Sequence, residues 1–99
     1  MEKLLDILPQ YNLKLFITGA SPNSIKAISN LKIICDKYLP GRYTLEVIDI
    51  YQQPEAAKKE QVIAVPLLIK SSPAPLKRLV GNMSDTAQVL KGLQITEPS

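Results

Sequence analysis

The 99-residue sequence has no histidine, no tryptophan, one cysteine and one phenylalanine. Without histidine there is no imidazole for acid–base work near neutral pH and no imidazole ligand for a metal. A single thiol, Cys35, excludes an internal disulfide and any Cys-x-x-Cys redox pair. Long apolar runs are missing too; the longest is a few residues, and a bilayer-spanning helix needs about 20. Acidic residues flank the leucines of Met1-Glu2-Lys3-Leu4-Leu5-Asp6, the wrong pattern for a secretory signal. These absences predict a cytoplasmic chain with no membrane partner. The carboxylates are scattered, and the glycine spacing of a phosphate loop is absent. No catalytic residue, metal ligand or cofactor is therefore assigned.

What remains is an ordinary globular composition, 45% hydrophobic with a net charge of +3. The length suits one domain over residues 1–99, with a core from about 11 to 95. The charge is unevenly placed. Lys70, Lys77, Arg78 and Lys91 face only Asp85 between Pro66 and Ile95, and the rest of the chain balances. A mild basic face suits an acidic protein surface. Nucleic acid is not expected as a partner, because arginine is scarce and not interleaved with aromatics.

Leu13 to Thr18, LKLFIT, reads as a buried strand broken by Gly19-Ala20. Ser21-Pro22 opens a helix, serine as cap and proline where its missing N–H costs nothing. Ile25, Ile28, Leu31, Cys35 and Tyr38 predict its apolar stripe, and Pro40-Gly41 ends it. Tyr43 to Ile50 reads as a second strand with Leu45, Val47 and Ile48 inward. Strand, helix and strand this close predict a βαβ unit with parallel strands. Pro54 leads into a short polar helix.

The second half is less decided. Val62 to Val65 suits helix or strand, Leu67 to Lys70 suits strand, and Ser71 to Pro75 suits a turn. Leu76 to Val80 fits a hairpin arm or a helical turn. Ser84 is the expected cap of a last helix carrying Ala87, Val89, Leu90 and Leu93, and the tail from Thr96 is expected to fray. Taken as strand, hairpin strand and helix, the order is βαβαββα, the thioredoxin topology. Pro66 then falls where thioredoxin folds place a cis-proline. The redox position after the first strand reads Gly19-Ala20-Ser21-Pro22-Asn23-Ser24, without sulfur, so thiol exchange has no nucleophile. Ser21 there leaves open a glutathione-dependent enzyme, although an N-cap serine before proline explains it fully. Cys35 lies on the apolar stripe and reads as a core residue.

The segments KLFITGASPNSIKAISNL, YTLEVIDIYQQPEAA, IAVPLLIK and PAPLKRLVGNMSDTAQVLKGL resemble, in order and spacing, the KaiB family of circadian clock proteins. The resemblance covers Leu13 to Leu93. It implies a non-enzymatic regulator that binds the N-terminal ATPase ring of a hexameric KaiC-type kinase/ATPase and modulates its phosphorylation. It further implies possible KaiA and SasA-type sensor-kinase partners. The family has a thioredoxin-like binding form and a resting βαββααβ form, a homo-dimer or homo-tetramer, two packings separated by little free energy. The family's KaiC-facing cations match Lys26, Lys70, Lys77 and Arg78. Its fold-switching places match Pro66, Pro73, Ala74, Pro75 and Gly92. Ala74 replaces a proline of the family pattern, Gln94 replaces an acid, and no long acidic run follows. A KaiB-like sensory domain of a SasA-type kinase is the other reading of this resemblance.

Overall fold

The computed structural model describes residues 8–95; the readings of Met1 to Asp6 and of the tail from Thr96 lie outside them. The first strand, β1 (Tyr11–Ile17), is followed by α1 (Pro22–Tyr38), β2 (Tyr43–Asp49) and α2 (Pro54–Lys59). The chain continues through β3 (Leu67–Ser72), β4 (Lys77–Val80) and α3 (Thr86–Leu93). This is the βαβαββα order. The four strands form one sheet in the order β2-β1-β3-β4. β1 runs parallel to β2 and antiparallel to β3, and β3 and β4 form an antiparallel hairpin.

Alternation along β1 divides the core between the two faces of the sheet. Leu13 and Leu15 point with Leu68 toward α1 and α3, where Ala27, Leu31, Ile34, Cys35, Leu90 and Leu93 close the larger core. Phe16 points the other way and joins Ile48, Leu67 and Ile69, covered by Ala56, Val62 and Val65. Phe16 is fully buried, which contributes about 2 kcal/mol through its apolar surface.

Ser21 caps α1, its Oγ accepting from the Ser24 N–H, with proline at the first helical position. Of the expected stripe of α1, Leu31 and Cys35 are buried and Ile28 and Tyr38 pack partly buried against the core, whereas Ile25 is not part of it. Ser24, Ala27, Leu31, Ile34 and Cys35 face inward, whereas Ile25 and Ile33 are exposed. Val47 is also more exposed than expected, because it lies on the edge strand β2, and Ile48 turns to the opposite core.

In the second half, Val62 to Val65 is neither helix nor strand. The hairpin turn holds Pro73, Ala74 and Pro75, and the Val65–Pro66, Ser72–Pro73 and Ala74–Pro75 bonds are cis. The cap of α3 is Asp85, not Ser84; its carboxylate accepts from the Gln88 N–H at 3.1 Å. Ala87 is exposed, and Val89, Leu90 and Leu93 form the buried side of α3.

Candidate partner-binding surface

The redox position of the fold carries a hydroxyl cluster. Ser21 Oγ donates to Ser24 Oγ at 2.7 Å, and the Thr18 N–H donates to Ser24 Oγ at 3.1 Å. Thr18 Oγ1 lies 3.3 Å from Ser21 Oγ. These bonds satisfy the end of β1 and the first turn of α1. Ser24 is fully buried, and every hydroxyl in the group is engaged in local capping. Ser21 Oγ is thus held in hydrogen bonds to Ser24 within the first turn of α1. Among the described residues no group of histidine, cysteine and carboxylate side chains is arranged to hold a metal.

The single thiol is inert for a separate reason. Cys35 is buried beneath α1, and burial, reinforced by the charge of Asp36, pushes its pKa up to about 12. Nucleophilic sulfur needs the thiolate, which this environment suppresses.

The structure distributes the four expected cations over different surroundings. Lys26 is exposed on α1, one turn before Asn30, whose Nδ2 donates to the Asn82 carbonyl at 2.9 Å. Spacing of four residues puts Lys26 on that same helix stripe, facing the loop after β4. On β4, Lys77 and Arg78 are neighbours in sequence and therefore emerge on opposite faces of the sheet. Lys77 is half-buried on the α1/α3 side, and Arg78 is exposed on the α2 side. The Arg78 guanidinium donates through Nη1 to the Glu60 carbonyl at 3.0 Å and through Nη2 to the Gln61 carbonyl at 3.1 Å.

Lys70 departs from the expected exposed face. It pairs with Lys77 across the hairpin, but only 1% of its surface is accessible. Its Nζ lies 3.4 Å from Gln94 Oε1 and 5.9 Å from the centre of the Tyr11 ring. Burial, then the charge of Lys77, lowers its pKa from the usual lysine value. The physical reason is register: Lys70 is two residues from Leu68, so it shares that residue's inward face. That i, i+2 relationship was the available signal, obscured by the reading of Lys70 as a strand end.

The expected switch positions cluster around the hairpin. Pro66 is buried at the entry to β3, whereas Ala74 and Pro75 are exposed in the turn. Gly92 of α3 packs against Leu79 of β4. One contact set was missed entirely. Glu60, at the end of α2, meets Lys14 Nζ of β1 at 3.6 Å and accepts Arg78 through its backbone.

Together these features define a thioredoxin-like domain in which hydroxyls replace the thiols and cations crowd the β3–β4 hairpin. The chain belongs to the KaiB family: the KaiB domain model matches residues 14–95. It is 46% identical over 83 residues to the circadian clock protein KaiB3 of Synechocystis, covering 84% of this chain and 81% of that one. It is 40% identical over 85 residues to the circadian clock oscillator protein KaiB of Synechococcus elongatus, covering 86% and 83% of the two chains. The N-terminal domain of Synechococcus elongatus SasA superimposes with a TM-score of 0.70 at 22% identity, covering 94% and 91%. Mitochondrial thioredoxin 3 of Saccharomyces cerevisiae also gives 0.70, at 16% identity over 87% and 78%. The last two likenesses concern the fold alone.

No helix of the described residues is long and apolar enough to cross a membrane.

Proposed function

We propose that this protein is a non-enzymatic, cytoplasmic regulator that docks on the N-terminal ATPase ring of a KaiC-type hexamer and modulates its phosphorylation. The observation that carries the reading is the KaiB-domain match over residues 14–95. Exposed Lys26 and Arg78 and half-buried Lys77 supply positive charge for an acidic ring surface. Lys70 lies beside Lys77 across the hairpin and contributes, in its charged form, by raising the local positive potential. Identity above 40% with KaiB3 favours this reading over a SasA-type sensory domain, with which the likeness is one of fold. A KaiA-type partner, a SasA-type competitor and a resting dimer or tetramer in the βαββααβ arrangement belong to the same proposal. In that scheme Pro66, Pro73, Ala74, Pro75 and Gly92 set the balance between the two packings.

The test is incubation with ADP-loaded KaiC-type ring, followed by size-exclusion chromatography. Co-elution developing over hours is expected, and Lys26→Glu or Lys77→Glu should weaken it and flatten its salt dependence. Absence of co-elution at low salt overturns the partner assignment.

A further inference from the structure

Helix α2 has six residues, none of them buried, and its N-cap Gln53 makes no side-chain capping bond. A helix this short is not stable on propensity alone, and its last carbonyls need partners outside the helix. The turn that follows is unfavourable as well, because Gln61 has φ of +54°, a conformation costing a non-glycine residue about 1 kcal/mol. Something must hold this end in place.

Two side chains reach it from the sheet. Lys14 of central strand β1 pairs with the Glu60 carboxylate. Arg78 of edge strand β4 takes the carbonyls of both Glu60 and Gln61 with two arms of one guanidinium. The planar fork matches two adjacent acceptors, which a lysine ammonium does not. A cation here also opposes the negative end of the helix dipole. Beyond the fastened turn, Val62 and Val65 drop onto the Phe16 core. Ile63 stays 96% exposed, and with Gln61, Arg78 and Val80 it lines a shallow pocket of about 170 Å³.

We infer that Arg78 is a positioning residue: it fastens the end of α2 to β4 and so fixes the Gln61–Ala64 surface. This deepens the partner-binding reading and rests on it for the functional consequence. Arg78 acts on partner binding through the shape of this junction, beyond its charge.

Amide exchange on the free protein tests the fastening without any partner. The Glu60, Gln61 and Val62 amides donate to Ala56, Lys58 and Ala57 carbonyls respectively. Arg78→Lys and Arg78→Gln should each speed their exchange about tenfold or more while leaving β1 unchanged. Parental rates in Arg78→Lys would mean that charge suffices, which overturns the inference. Should both variants unfold, NMR of the parent decides. Separate, slowly exchanging Nη protons correlated with carbonyl carbons 60 and 61 are expected; one averaged signal overturns it. With a ring that binds the parent, Arg78→Lys should lose most of the affinity that Arg78→Gln loses, and parental affinity in Arg78→Lys overturns the functional consequence. A parent that binds no ring sinks the proposed function, and the exchange result stands on its own.

Discussion

Gly92 of α3 lies directly against Leu79 of β4: a Cβ at residue 92 would stand 2.8 Å from Leu79 Cδ1, 3.0 Å from its Cγ, and would overlap Cδ2. Two effects oppose each other here. Alanine gains about 1 kcal/mol of helix propensity over glycine, but the new methyl obliges Leu79 to turn aside. The obstacle is the end of a half-buried side chain, not backbone. Gly92→Ala should therefore be more favourable, by about 1 kcal/mol, in a Leu79→Ala background than in the parent. Urea denaturation of the four-member cycle measures this coupling. Additivity within about 0.3 kcal/mol would show that the contact carries no energy.

Lys70→Met should stabilise the free fold by about 1 kcal/mol at neutral pH, because it keeps the buried stem and removes the charge. The pH dependence has a definite sign. The folded-state pKa lies below the ordinary value of 10.5, so between the two the unfolded chain binds more protons. Parental stability then rises with pH through that window, and the rise should be missing from the variant. Thermal melts between pH 7 and about 10 report both effects. A lower melting temperature for Lys70→Met at pH 7 would show that the Gln94 and Tyr11 contacts outweigh the cost of burial.

Cys35 should react with a disulfide reagent at pH 8 at least about a hundredfold more slowly in the folded protein than in urea. Its folded pKa of about 12 exceeds the ordinary 9.0, so the folded state holds the proton longer. Stability contributed by the protonated thiol is complete below the ordinary value and declines as pH rises toward 12. Rapid labelling without unfolding would contradict the buried placement.

Ser24→Ala removes the buried oxygen that accepts from the Thr18 N–H. The cost should be about 1 kcal/mol, as expected when a half-buried donor loses its partner. Ser29→Ala, at an exposed position on α1, should stay within about 0.5 kcal/mol of the parent. Neither the parent nor either variant should reduce insulin above background, and measurable turnover would mean that the hydroxyl cluster has been misread.

Local signals specify the first half of the chain well. Ser21-Pro22 placed the start of α1, and Pro40-Gly41 placed its end. What they could not supply was the inward placement of Ser24 and Ala27, which lack the hydrophobicity that marks a buried face. Val47 misled for a related reason: alternation identifies a face but not whether an edge strand is covered. Between Val62 and Val80 the β-branched residues suit either state, and tertiary pairing with β1 decides for β3. The inward turn of Lys70 and the grip of Arg78 on α2 depend on cross-strand register and long-range contact. Neither has a signature within a short window of sequence.

The sheet order carries a consequence for how such a chain tolerates change. β1 and β2 come from the first half of the chain, β3 and β4 from the second, and the ladder between β1 and β3 is the one strand ladder that joins them. The molecule is thus built as two strand pairs sewn along a single seam. Substitutions in the hairpin do not touch the β1–β2 ladder directly, yet they reach the first half through the core that Leu15 shares with Leu68 and Leu90.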